Sequence, residues 1–272
     1  MARLLIFGLG YAANAIAARL DAWWIDATGN AGNLDFDDRA GVIAAIDAAS
    51  HILSSVPPGE VDPVLARYGA ALADGGKWLG YLSSTGVYGD TGGAWVDESA
   101  PIKGRRAGRN QADGDWLALG ARVFRLPGIY GPGRSPLDRV RSGQAHRTAQ
   151  PGQVFSRVHV DDIASGVIAG FDAPPGAYNL SDDLPAPQDV VIEFASALLG
   201  REPPPIVPLE ALSPEAHAFH AENRRVANGK AKRVLGWRPA YPDYRFGLRA
   251  LNAMTSPAAV SAAPATASPD QR

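Results

Sequence analysis

An apolar run, Leu4-Leu5-Ile6-Phe7, stops at Gly8, and a helical pattern starts directly after it, with Ile16 and Leu20 four residues apart on one face. Gly8, Gly10 and Ala13 fall on the spacing G-x-G-x-x-G/A. Each position has a physical reason. Gly8 permits a tight turn out of a strand, Gly10 leaves the backbone bare for close approach by a pyrophosphate, and Ala13 is small enough for the helix to pack on the strand. Leu9, Tyr11 and Ala12 complete a turn whose N–H groups meet the phosphates. Strand, glycine turn and helix in that order predict an α/β fold of the Rossmann type, a doubly wound parallel sheet that binds a dinucleotide. The bland alternative is a glycine-rich turn without a ligand.

Composition narrows the classes. At 272 residues the chain can bury a sizeable core, as one domain with a small appendage. Its 46% apolar content is that of an ordinary globular protein. A net charge of −2 without a long basic run argues against nucleic acid as a partner. The absence of cysteine removes disulfides, thiolate metal sites and thiol catalysis. No stretch reads as a membrane span or a signal peptide, so a cytoplasmic location is expected.

Trp23-Trp24-Ile25 reads as the second strand, whose end usually selects the cofactor: an acid bonds the ribose hydroxyls of NAD, a nearby Arg the phosphate of NADP. One register makes Asp26 the ribose ligand. Another makes Thr28 the strand-end residue and puts Gly29-Asn30 where an Arg would stand. No basic residue lies at that tip before Arg39, which favours NAD over NADP. Leu34-Asp35-Phe36 is a candidate short third strand, with Asp37 and Asp38 capping the next helix. The strand from His51 ends in Ser54-Ser55-Val56-Pro57, which should line the dinucleotide, because strand carboxyl ends face the crevice.

Trp78 through Ser84 is a further strand, running into Thr85-Gly86-Val87-Tyr88-Gly89. Phe124-Arg125-Leu126-Pro127-Gly128-Ile129-Tyr130-Gly131-Pro132-Gly133, Val158-His159-Val160-Asp161-Asp162 and Leu235-Gly236-Trp237-Arg238-Pro239 follow. On these segments the chain resembles the extended short-chain dehydrogenase/reductases of the NAD-dependent epimerase/dehydratase type, over nearly its whole length. The resemblance implies an NAD(P)-dependent oxidoreductase or epimerase/dehydratase acting on a hydroxyl or carbonyl of a small polar substrate, such as a nucleotide sugar. It also implies a substrate lobe within about residues 132–250 and a homodimer. Ser83, Pro127, Gly128 and Ile129 would sit at strand ends against the cofactor. Ser84 matches the serine that hydrogen-bonds the reacting oxygen.

Two departures stand out. Phe7 takes the place of the first glycine of the family's G-x-x-G-x-x-G. The expected Tyr-x-x-x-Lys pair is missing: the corresponding register puts Arg105 at the tyrosine position and Arg109 at the lysine position. An arginine stays protonated and cannot serve as the acid–base group, though it can hold ribose hydroxyls or an anion. Tyr88 and Tyr130 are candidate replacements for the missing phenol. Without one, the chain would be a non-catalytic NAD(P)-binding sensor. Arg105, Arg134 and His159 are candidate substrate contacts, with Arg157, Arg224 and Arg225 as further anion-binding candidates; a structural role is the alternative for His159. His217 and His220 lie three apart near Glu215 and Glu222 without an implied third metal ligand, so no metal site is expected. Thr255 to Arg272 reads as a disordered tail.

Overall fold

The structure, a computed structural model, describes residues 2–74, 76–213 and 220–255. The chain opens with β1 (Arg3–Phe7), α1 (Tyr11–Ala17), β2 (Trp24–Ala27), α2 (Arg39–Ala48), β3 (His51–Ser54), α3 (Pro63–Ala73) and β4 (Trp78–Ser84). A short β5 (Trp95–Val96) precedes α4 (Ala107–Ala118) and β6 (Arg122–Leu126). Then come β7 (Gly128–Tyr130), α5 (Pro136–Arg141), β8 (Arg157–His159), α6 (Val160–Ala169), β9 (Gly176–Asn179) and α7 (Gln188–Leu198). Among the described residues, β10 (Arg225–Val226), α8 (Gly229–Val234) and α9 (Tyr244–Thr255) come last.

Six strands form one parallel sheet in the order β2-β1-β3-β4-β6-β9. Its strands are near-continuous apolar runs because helices cover both faces. On β1, Leu4 and Ile6 face a core shared with Ile16 of α1 and Ile163 and Val167 of α6. Leu5 and Phe7 face the opposite core, with Val42 and Ile46 of α2, Tyr68 of α3 and Trp116 of α4. A third core joins Leu137 of α5, Val191 and Ile192 of α7, and Leu248 and Leu251 of α9, and builds the lobe beside the sheet. Of two small parallel pairs, β7-β8 gives Tyr130 to that third core and Val158 to the core of Leu4, while β5-β10 packs Val96 and Val226 on Val87 and Tyr88.

Several local expectations are refined. The third strand at Leu34–Phe36 does not form; a single parallel bridge between Thr28 and Leu34 marks its place outside β2. Asp38 caps α2 by accepting from the Gly41 amide at 3.1 Å, and Asp62 caps α3. Thr255 is the last residue of α9 rather than the first of a tail, and residues 256–272 lie outside the described residues. His217 and Glu215 lie outside them too. Among the described residues, no helix is long and apolar enough to cross a membrane.

Candidate functional site

The sheet changes winding direction between β1 and β3, and in such folds a crevice opens beyond the strands' carboxyl ends at that point. A cavity of about 700 Å³ lies there. One wall is the start of α1, where Gly10, Tyr11 and Ala12 line the space. Gly8 adopts φ +82°, and a side chain on it would come within 2.9 Å of Val56 Cγ2. Only glycine satisfies both constraints at that turn. The turn is fastened by Leu9 N donating to Thr28 O at 2.9 Å, Gly8 N donating to Thr28 Oγ1 at 3.2 Å, and the Ser55 hydroxyl donating to Gly8 O. A Cβ on Gly10 would meet nothing within 4 Å, so the backbone there faces open space. Ala13 is fully buried against the sheet.

The β2 tip resolves the two registers. Thr28, not Asp26, is the residue drawn up to the glycine turn, and exposed Asn30 follows it. Asp26 is 7% exposed and its carboxylate is already occupied: it accepts from Arg3 Nε and Nη2 at 3.1 and 3.0 Å and from Asn33 Nδ2 at 3.0 Å. Burial alone would raise its pKa, but the Asn33 and Arg3 hydrogen bonds hold it below the ordinary aspartate value. The expectation that Asp26 meets the ribose is corrected accordingly: its position one residue short of the strand's end turns it toward Arg3.

Along the floor, Ser55 and Pro57 after β3, and Ser83 and Ser84 ending β4, line the cavity. Ser54 is fully buried with no partner for its hydroxyl among the described residues, and Val56 packs on Gly8, so neither lines the space. Ser83 Oγ donates to Asp113 Oδ2 at 2.6 Å. Ser84 Oγ accepts from Gly86 N at 3.1 Å, starting the short 3₁₀ turn Thr85–Tyr88 and leaving its own proton to give. Pro127, Gly128 and Ile129 form the far edge.

Neither candidate phenol replacement lines the cavity. Tyr88 is 1% exposed; its hydroxyl donates to Asn179 Oδ1 at 2.7 Å and accepts from Arg125 Nη1 at 3.0 Å. Burial raises its pKa. Tyr130 turns to the opposite side of β7 from Ile129, where its ring lies edge-on to His159 with centroids 5.1 Å apart. Its hydroxyl abuts Gly247, and burial raises its pKa too. His159 is also corrected as a substrate contact. It is 2% exposed and caps α6 through Nδ1, which accepts from Asp161 N at 3.2 Å, while burial lowers its pKa. The pleat turns Tyr130 away from Ile129 on β7, while Tyr88, in the 3₁₀ turn after β4, is held inward by Asn179 and Arg125.

The arginines, in contrast, converge. Arg105, Arg109 and Arg134 all line the cavity, and so do Arg106 and Arg224. Arg109 Nη1 donates to the buried Tyr81 hydroxyl at 2.8 Å. Arg134 lies over the Tyr11 ring at 5.8 Å, and the Tyr11 hydroxyl donates to Pro132 O at 3.0 Å. Arg105 reaches Glu222 at 2.8 Å. Arg157 is instead fully enclosed in the lobe, where it donates to Phe155 O, Ala186 O and Gln188 Oε1, and burial lowers its pKa to about 10. Arg106 and Glu222, with Phe155 and Ser156 at the rim, were not singled out from sequence for this site. Only a run of basic residues at 103–109 hinted at the first, and nothing local hinted at the others.

Close glycine contacts bring the Arg105–Arg109 segment inward. A Cβ on Gly104 would strike Gly86 O and stand 2.6 Å from Asn110 Oδ1. One on Gly108 would strike Gly59 O and stand 2.8 Å from Glu60 O. Among the described residues, no group of three or more His, Asp, Glu or Cys side chains could hold a metal ion.

No family model matches the chain. A functionally unknown conserved protein from Silicibacter pomeroyi is 40% identical and has a TM-score of 0.83, over 93% of this chain and 99% of that one. The chain belongs to that protein's family. Its fold is that of the extended short-chain dehydrogenase/reductases of the epimerase/dehydratase type. A human epimerase family protein in complex with NADPH is 16% identical with a TM-score of 0.75, covering 92% of this chain and 99% of that one. The UDP-glucose 4-epimerase of Thermotoga maritima, with UDP-glucose, is 13% identical with a TM-score of 0.74, covering 93% and 100%. A Streptomyces 3-diazoavenalumate denitrifying reductase is 30% identical over 142 residues, 48% of this chain. The match spans about half the length of that curated relative, 46%.

Proposed function

We propose that the protein is an NAD(P)-dependent oxidoreductase that moves hydride to or from a carbonyl or hydroxyl carbon of a small polar substrate. The carrying observation is the cavity at the sheet's switch point, with a bare Gly10 backbone at one end and Ser84 at the other. The residues present fit a dinucleotide. Gly10 leaves room where a pyrophosphate approaches, Arg134 adds positive charge beside Tyr11, and Ser55, Pro57, Pro127, Gly128 and Ile129 provide walls. Asn30 after the β2 tip, in place of an arginine, favours NAD over NADP. Structural relatives with bound NAD or NADPH, and the reductase named above, support the same reading.

When bound, the nicotinamide would supply the hydride chemistry. The protein's own part is binding and charge stabilisation. Ser84 Oγ donates to the reacting oxygen, and Arg109, fixed by Tyr81, holds ribose hydroxyls or stabilises negative charge. Tyr11 is the one phenol lining the cavity among the described residues, and its proton is given to Pro132 O. In this reading no phenol takes the acid's place, and water passes the proton beside Ser84. A coenzyme-binding protein without turnover is the second reading, favoured by the locked hydroxyl of Tyr88 and the turned-away Tyr130.

Calorimetric titration with NAD and NADP tests the first step, and transfer of deuterium from 4-deuterated NADH or NADPH to a panel of carbonyl compounds tests the second. Binding plus transfer is the expected result. Binding with no transfer to any compound selects the second reading, and no binding of either coenzyme refutes both.

A further inference from the structure

Building on that reading, we infer that Arg105 and Arg224, braced by Glu222, form a site beside Ser84 for an anionic group of the substrate, a carboxylate or a phosphate. Five guanidiniums and one carboxylate are the charged side chains lining the cavity. Arg134 stands at the Tyr11 end, and Arg109 is tied to Tyr81. That leaves Arg105, Arg106 and Arg224 to face whatever occupies the rest, with Glu222 as their only counter-charge among the lining residues.

Glu222 arranges two of them. Its Oε1 accepts from Arg105 Nε at 2.8 Å and its Oε2 from Arg224 Nη1 at 2.6 Å. The Glu222 side chain is 11% exposed and that of Arg224 17%, so this brace is mostly out of water. One carboxylate between two guanidiniums leaves a net positive charge, and Arg106 adds a second. Positive charge in a cavity with low-dielectric walls attracts an anion more strongly than the same charge on an open surface. The donors are also unspent. Arg105 pairs through Nε alone, and Arg224 uses Nη1 for both Glu222 and Gly89 O, leaving Nη2 without a hydrogen bond among the described residues. A Cβ on Gly86 would stand 3.2 Å from Ser84 Oγ and 4.0 Å from Arg224 Nη2, so the two groups flank the same space. A planar guanidinium edge suits the two oxygens of a carboxylate or phosphate. Gripping that group beside Ser84 would place the neighbouring carbonyl or hydroxyl oxygen on the serine.

The test is calorimetry at low ionic strength on the full chain saturated with NADH, using oxalate and inorganic phosphate as probes. At least one probe should bind with a dissociation constant of about 10 mM or tighter, and Arg224→Ala and Arg105→Ala should each weaken it about tenfold, the loss of one charge-assisted bond. Coenzyme affinity should stay within about twofold of wild type in both variants, since the coenzyme end of the cavity is untouched. Arg105 is half exposed, so its variant keeps the test alive should Arg224→Ala unfold. A preference for oxalate indicates a carboxylate substrate and a preference for phosphate a phosphorylated one; either supports the site. Failure of both probes to bind the coenzyme-saturated protein, or affinities unchanged in both variants, overturns it. If NADH itself does not bind, the proposed function fails. The titrations on the free chain then decide the site separately: loss in Arg134→Ala, with Arg105→Ala and Arg224→Ala unaffected, overturns it.

Discussion

Replacing Asp113 by alanine should destabilise the protein by about 3–5 kcal/mol, the usual cost of leaving one partner of a buried ion pair alone. Arg125 is 3% exposed and Asp113 1%. The guanidinium donates to the carboxylate at 2.6 Å and 3.1 Å, and its remaining edge donates to the Tyr88 hydroxyl. Burial alone would lower the Arg125 pKa, but Asp113 and Tyr88 keep it above its ordinary value. Alanine at 113 removes that support and leaves a buried guanidinium without its counter-charge. It also frees the Ser83 hydroxyl on the cavity floor. Urea unfolding followed by tryptophan fluorescence reads the loss, and Trp116, fully buried on the same helix, is a local reporter. For a chain of this size the loss corresponds to roughly 6–20 °C in melting temperature. The paired substitution Asp113→Leu with Arg125→Met removes both charges and should return to within about 2 kcal/mol of wild type. A loss below about 1 kcal/mol in the single variant, or no recovery in the double, would refute the assignment of this pair as a mutually dependent buried unit.

Tyr130→Phe should leave stability and turnover nearly unchanged, because its hydroxyl bonds nothing among the described residues; Tyr88→Phe should cost about 1–3 kcal/mol through Asn179 and Arg125 while turnover stays within about threefold. A loss of kcat of about a hundredfold in either, the scale of general acid–base catalysis, would return that phenol to the chemistry. Gly108→Ala should destabilise by about 2 kcal/mol or more, since its Cβ meets the backbone of Gly59 and Glu60, and should weaken coenzyme binding by displacing Arg109. Urea unfolding and coenzyme calorimetry check both parts. Asp162, buried at 1% exposure, has its pKa raised by burial to about 6. The folded state thus holds a proton that the unfolded state has released between about pH 4 and 6, so this group's contribution is most favourable below pH 4 and falls by up to about 3 kcal/mol as pH rises through 6. Urea unfolding from pH 4 to 7 should show that fall in wild type and not in Asp162→Asn; parallel curves would exclude it.

The parallel sheet was legible because β1, β3 and β4 are short apolar runs closed by glycine, serine or proline, and because Gly8 and Gly10 have few other uses at that spacing. Leu34–Phe36 has the composition of a strand, but only Leu34 makes a bridge. The candidate site divides along the same line. Residues contributed by backbone position, such as Gly10 and Pro127, could be read from the motif. Those contributed by side-chain direction could not: Tyr88 in the turn after β4 is held by Asn179 and Arg125, His159 caps α6 on the Asp161 amide, and Tyr130 faces away from the cavity. Glu222 was out of reach for another reason. It meets Arg105 across 117 residues of chain, and no local pattern encodes that meeting.

The loss of the usual dyad is a matter of backbone as well as side chains. A phenol and an ammonium four residues apart share a face only if both lie within a helix. Here α4 begins at Ala107, and Arg106 caps it in an extended conformation, φ −96° and ψ 95°. Arg105 therefore lies ahead of the helix, and its side chain runs to Glu222 and not alongside Arg109. Gly104 and Gly108 hold this geometry by allowing contacts with Gly86 and Gly59 that any larger residue would prevent. Replacing the two arginines with tyrosine and lysine would change the chemistry at two separate points without rebuilding one paired acid. The segment is shaped to set guanidiniums around the cavity, and a group that stays charged at every working pH is suited to holding an anion and unsuited to passing a proton.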